Sequence, residues 1–179
     1  MIELNKILIA CALAAVIAAP VSAQVCKTDT IRPSVNPERL IDNDDGTVTD
    51  AQTGLVWMQC SIGQTWAADG CSGAPTNFTW SQALQAANQF NHNGGLAEKT
   101  DWRIPNIKEL GSLVEHQCTQ PAINVVHFPD TPSATYFSST VKVDTAGNVM
   151  GGRYIDFSTG SDLSPEISAL RYIRLVRSN

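Results

Sequence analysis

Beyond its first two dozen residues the sequence has no long apolar run, so nothing in its body is a candidate membrane span, which needs roughly 18–20 such residues. Basic residues are few: 12 Lys and Arg stand against 17 Asp and Glu, a net charge of −5, and that balance excludes nucleic acid as a partner. There is no C-x-x-C pair, and His92, His116 and His127 do not fall at ligand intervals, which argues against zinc. No G-x-S-x-G surrounds Ser112, and Gly151-Gly152 precedes a strand pattern instead of opening a helix, so neither a nucleophile elbow nor a phosphate loop is present. The acids Asp42, Asp44 and Asp45 have no second acidic motif as partner. In a calcium-loop register with Gly46 sixth, Ile41 and Gln52 would occupy the first and last ligand positions, and the pattern breaks at both ends. Together these absences point away from an enzyme and from any metal or cofactor. No internal repeat or low-complexity segment occurs.

What the sequence does contain begins with an export signal. Lys6 is followed by an apolar run from Ile7 to Val21, then Pro20 and the small-residue site Val21-Ser22-Ala23, which reads as a cleaved signal peptide over residues 1–23. A lipid-anchored reading at Cys11 would leave only about four apolar residues before the cysteine, too few for such a signal. The expected destination is the periplasm, the cell surface or the medium, with no membrane insertion after cleavage. About 156 residues follow Ala23, enough for one domain with a substantial core. A polar, proline-marked lead-in covers 24–37 and the domain 38–179.

Four cysteines remain after cleavage: Cys26, Cys60, Cys71 and Cys118. In an exported chain they predict two disulfides, with three connectivities open. Cys60 and Cys71 bracket a polar loop that closure would stabilise, which leaves Cys26 to tie the N-terminal tail to Cys118. The nearness of His116 to Cys118 is then incidental.

Alternation around Asp45-Gly46 and Thr53-Gly54 predicts strand, turn, strand, turn, strand over Arg39 to Cys60. A capping box at Thr79 and Gln82 opens a helix with Trp80, Ala83, Leu84, Ala87 and Phe90 on its apolar face, ended by Asn91 to Gly95. In "TDWRIPNIKEL", Pro105 holds Ile104 extended, Asn106 caps, and Glu109 reaches back, so a second helix presents Ile107, Leu110 and Val114. Trp102 should pack inside, with Arg103 holding a carboxylate or loop carbonyls. The run "TQPAINVVHFPDTPSAT" predicts an ordered surface loop, and "YFSST", "RYIDFST" and "LRYIRLVR" predict strands.

Taken in order, "DGTVTDAQTGLVWMQCSIGQTW", "TWSQALQAAN", "DWRIPNIKEL", "PAINVVHFPDTPSATYFSST", "YIDFSTG" and "IRLVR" resemble the Lcl C-terminal domain family, named for the adhesin domain of the Legionella collagen-like protein. The resemblance runs from about Arg39 to Arg177. It implies attachment to sulfated glycosaminoglycans, and the similarity of "WRIPNIKEL" to formylglycine-generating enzymes implies a C-type-lectin-like fold. The chain has no Gly-X-Y stalk. Gln120-Pro121-Ala122 replaces the sugar motif of calcium-dependent lectins, and no cysteine follows Cys118 to support formylglycine chemistry.

The resulting expectation is an α+β, C-type-lectin-like domain, two helices on a twisted, mainly antiparallel sheet, braced by disulfides. Its expected function is non-catalytic binding of extracellular polysaccharide or sulfated glycan; the alternatives are a structural or protein-interaction module of a surface or secreted assembly, and an enzyme of unrecognised type. Candidate ligand contacts are Trp66, inside the Cys60–Cys71 loop, and Arg153, Arg171 and Arg177 on neighbouring strands, with Lys142 nearby. Guanidinium groups match sulfate and carboxylate oxygens. Strand alternation sets Arg174 on the opposite face from Arg171 and Arg177. The competing reading pairs these arginines with Asp156, Asp162 or Glu166.

Overall fold

The computed structural model describes residues 23–68, 70–163 and 169–179. The signal peptide, apart from Ala23, and Glu166 lie outside them. The lead-in starts with β1 (Val25–Cys26) and ends in a 3-10 turn, Pro37–Arg39. Gly46 and Gly54 then adopt positive φ, 84° and 69°, a conformation that costs a residue with a Cβ. The chain reverses at each, so β2 (Leu40–Asp42), β3 (Thr47–Asp50) and β4 (Leu55–Met58) pair antiparallel in succession. Buried Asp50 accepts from Arg39 Nε at 2.8 Å and Nη2 at 2.7 Å.

A small ribbon follows, β5 (Thr65–Ala67) and β6 (Gly70–Ser72), and after it α1 (Trp80–His92) and α2 (Ile107–Gly111). Both helices carry the predicted capping boxes, Thr79 with Gln82 and Asn106 with Glu109. Short β7 (Cys118–Thr119) pairs with β1. The long strands β8 (Thr135–Val143) and β9 (Val149–Asp156) make a hairpin extended by β10 (Ser161–Leu163), and β11 (Val176–Ser178) returns to pair with β4. The strands thus form a four-stranded sheet, β11-β4-β3-β2, and a three-stranded sheet, β10-β9-β8, with two ribbons beside them, in place of one continuous sheet. The architecture is α+β.

Strand alternation divides the interior in two. Leu55 and Trp57 of β4 enter one cluster with Leu110, Phe128, Tyr136 and Phe157, while Val56 and Met58 enter a second with Trp102, Phe137, Tyr154 and Leu175. All four residues of β4 are buried, which explains why "LVWM" is a continuous apolar run. The helices cover opposite sides: α2 contributes Ile107 and Leu110 to the first cluster, α1 contributes Ala83, Ala86 and Ala87 to the second. Leu84, placed on the apolar face by its spacing, is 36 % exposed, and the small Ala86 packs instead.

Two further expectations are corrected. The Pro-rich segment after Cys118 is not a surface loop, because Ala122, Ile123 and Phe128 are wholly enclosed in the first cluster. "LRYIRLVR" is not one strand: Arg171 and Tyr172 make isolated bridges to Phe78 and Tyr136, and regular pairing begins only at Val176.

Two disulfides brace this frame, Cys26–Cys118 and Cys60–Cys71, the pairings read from the sequence. Among the described residues no helix is long and apolar enough to cross a membrane, and together with the disulfides this fits an exported protein. The lead-in is further fastened by Glu115, 6 % exposed, which accepts from the Ser34 amide (2.9 Å) and hydroxyl (3.0 Å), the Val35 amide (3.2 Å) and the Gln117 amide (2.9 Å). Burial raises the Glu115 pKa, but these bonds, from Ser34 first, outweigh it and hold the group below its usual value.

A group with a depressed folded pKa contributes stability that is present above its unfolded value and lost as pH falls through the folded one. Glu115→Gln should therefore cost about 1–3 kcal/mol at neutral pH. Urea midpoints for the two proteins should converge as the pH drops below the ordinary carboxylate range, and a gap that stays constant down to acid would contradict this role.

The close approach of α1 to the hairpin gives a second test. Trp80 Nε1 donates to the Ser138 carbonyl at 3.2 Å, and a Cβ at Gly152 would fall 2.0 Å from that nitrogen. Gly152→Ala should lose about 1–3 kcal/mol by overpacking. Gly111→Ala, in a helix with its nearest neighbour 3.8 Å from the added carbon, should be neutral or mildly stabilising in the same denaturation assay.

Candidate functional site

Trp66 is the tryptophan inside the Cys60–Cys71 loop, and the ribbon explains its position. It sits on β5 directly opposite Cys71 of β6, and the Cys60–Cys71 bond closes the base of the ribbon onto the end of β4. The Asp130 carboxylate accepts from the Cys71 amide at 2.9 Å and holds the other side. Trp66 and Trp80 are half-buried, whereas Trp57 and Trp102 are buried.

Against Trp66 lies the β2–β3 turn. A Cβ on Gly46 would come within 2.9 Å of the indole Cγ, so glycine is required there both for its positive φ and for the approach. Between the turn and the ribbon is a pocket of about 360 Å³, lined by Asp42, Asp44, Gln59 and Trp66 and closed by Val126 and Pro129.

The polar groups of this pocket are arranged by the turn itself. Asp42 Oδ1 accepts from the Asp44 amide and Oδ2 from Gln59 Nε2, each at 2.9 Å. Asp45 faces away and accepts from the Thr47 amide and hydroxyl. Asp44, with φ 58°, is exposed, and its carboxylate makes no hydrogen bond among the described residues. Gln59 is 3 % exposed, and its Oε1 is buried without a donor among the described residues. Among the described residues no cluster of three or more His, Cys, Asp or Glu side chains is placed to hold a metal.

The arginines lie elsewhere. Arg153 pairs with Asp162 across β9 and β10. Asp156, the other described carboxylate considered for this pairing, accepts from the Ser158 amide. Arg171 is 3 % exposed, its guanidinium 3.7 Å from the Tyr154 ring centroid and 5.1 Å from that of Phe137. Arg174 is wholly enclosed on the Phe128 side, as alternation requires. Arg177 Nε donates to Asp101 at 2.8 Å and holds that carboxyl below its usual pKa. It borders a separate hollow of about 340 Å³ with Asn43, Asp45 and Lys99 on the far side of the turn. Arg153, Arg171 and Arg177 do not form one face with Trp66. Arg171 is buried because the aromatic side chains of β8 and β9 offer a cation an apolar surface, a contact that strand alternation alone does not reveal. Arg103 holds Glu109 through two bonds of 2.8 Å.

The sequence does not single out Gln59, and it places Asp42, Asp44 and Asp45 in no complete carboxylate-pair or calcium-loop motif. The available signal was their adjacency to Gly46 and Cys60, which the turn and the disulfide bring to the same place.

The comparisons with known proteins agree with this architecture at one level. No curated protein and no solved structure matches the chain. A family model, the Lcl C-terminal domain, matches residues 46–177. The matched span runs from the turn under Trp66 to the last strand and takes in both helices and the Cys60–Cys71 ribbon, with Asp42 and Asp44 just before it, and over that span the chain belongs to the Lcl C-terminal domain family.

Proposed function

We propose that this is an exported, non-catalytic binding domain, acting in the periplasm, at the cell surface or in the medium, whose ligand is an extracellular polysaccharide held at the Trp66 pocket. The observation that carries the reading is a half-buried indole beside carboxylate and carboxamide groups in one open pocket. Sugar rings have an apolar C–H face that packs on an aromatic ring and a rim of hydroxyls that carboxylates and amides hydrogen-bond. Both oxygens of Asp42 are engaged by donors of the protein, an arrangement suited to holding a ligand and not to proton transfer. The return of β11 to β4, which closes the domain near its start, is in keeping with a C-type-lectin-like frame.

The sulfated-glycan version draws less support from the site. Arg39, Arg103, Arg153 and Arg177 are in ion pairs, Arg171 and Arg174 are buried, and the pocket walls carry acids. A second reading, a protein-interaction module, is favoured by one observation: Val141, Val143 and Val149 are 45–58 % exposed towards the end of the β8–β9 hairpin.

A glycan array probed with the mature protein tests the first reading. Bound glycans should be lost or weakened about tenfold or more by Trp66→Ala, a loss of about 1.4 kcal/mol or more. A thermal melt checks that the variant remains folded. A blank array, or binding untouched by Trp66→Ala, would favour the hairpin.

A further inference from the structure

Asp42 and Asp44 present carboxylates to the Trp66 pocket, and among the described residues no lysine or arginine lines its walls. Gln59 adds a third acceptor. Its Nε2 is committed to Asp42 Oδ2 at 2.9 Å, which fixes the carboxamide, since turning it over would set oxygen against oxygen. Its Oε1 is left buried with no donor. Buried oxygens are seldom left so, and an unmatched one in a pocket wall marks where a donor is missing. The remaining wall is the Trp66 indole, the aromatic side chain best suited to attract a cation over its face.

Resting on the glycan-binding reading, we infer that the pocket selects polysaccharides bearing free primary ammonium groups, that is, de-N-acetylated amino sugars. An ammonium brings three donors and a positive charge to a site made of two carboxylates, one unmatched carbonyl oxygen and an aromatic face. An acetamido group brings one amide donor and no charge. Sulfate and uronate groups bring only acceptors and meet the Asp42 and Asp44 charges with their own. The selectivity belongs to the acids of the β2–β3 turn, Asp42 and Asp44.

The test is calorimetric titration of the mature protein at low ionic strength with a glucosamine hexamer, its fully N-acetylated counterpart and a heparin hexasaccharide. The glucosamine hexamer should bind about tenfold or more tightly than the N-acetylated one, the preference should shrink as salt is raised, and heparin should bind least. Asp44→Asn should bring the ratio of the two affinities towards one. Asp144→Asn, an equal change of charge at the turn of the β8–β9 hairpin, should leave that ratio as it is. Equal or tighter binding of the N-acetylated hexamer or of heparin overturns the ammonium selectivity and leaves glycan binding standing. A ratio lowered as much by Asp144→Asn as by Asp44→Asn also overturns it, because the preference would then follow the protein's overall charge. Failure of all three ligands, together with a blank array, removes the glycan reading and this inference with it.

Discussion

A guanidinium with no ion-pair partner among the described residues holds the centre of this protein. Arg174 is wholly buried, and burial lowers its pKa against the opposing influence of Tyr136. A charge so placed is costly, and hydrogen bonds from its donors offset part of that cost. Here Nη1 donates to the carbonyls of Met58 and Gln59 and Nη2 to the Thr131 hydroxyl at 2.7 Å, while Nε has no partner among the described residues, and the group lies 4.9 Å from the Phe128 ring centroid. The partners come from the end of β4 and from the buried loop after Cys118. One side chain of the C-terminal segment thereby binds together two regions about 70 residues apart in sequence.

The pocket depends on that arrangement. Holding the Gln59 carbonyl sets the backbone at the end of β4, and the Gln59 side chain then reaches Asp42 on the neighbouring turn. The next residue, Cys60, anchors the ribbon that carries Trp66, and Ser61 shares a 2.6 Å hydrogen bond with the buried Tyr136 hydroxyl. Gln59 and Cys60 therefore hold the turn and the ribbon of the pocket, and Ser61 beside them ties the same stretch to the buried core. Such a site is preorganised: its indole, carboxamide and one carboxylate are held before any ligand arrives, so less conformational freedom is lost on binding.

Electrostatics separates the two ends of the molecule's possible chemistry. The chain is only mildly acidic, yet Arg39, Arg103, Arg153 and Arg177 are neutralised in pairs and Arg171 and Arg174 lie against aromatic rings, while Asp44 stands unpaired among the described residues at the pocket mouth. Charge that is paired locally has little effect on a distant ligand, and charge left unpaired beside an aromatic wall has more. Composition alone, with basic residues concentrated near the C-terminus, suggests the reverse.

The sequence by itself determined whatever depends on neighbours a few residues apart. Gly46 and Gly54 specify turns through their own φ, Thr79 with Gln82 and Asn106 with Glu109 cap helices across one turn, and the polar loop between Cys60 and Cys71 suits a local disulfide. The fate of the arginines was decided only by tertiary structure. Whether Arg171 faces solvent depends on Tyr154 and Phe137, and whether Arg174 is enclosed depends on Phe128 and Met58, none of them near in sequence. The segment from Pro121 to Thr131 reads as a loop because it has no period, but it is anchored inside because Ile123 and Phe128 join the cluster that also holds Leu110 of α2 and Ile155 of β9. The pocket is the same kind of result: a turn, the end of a strand and a stapled ribbon each have a local reason to exist, and only long-range packing makes them walls of one cavity.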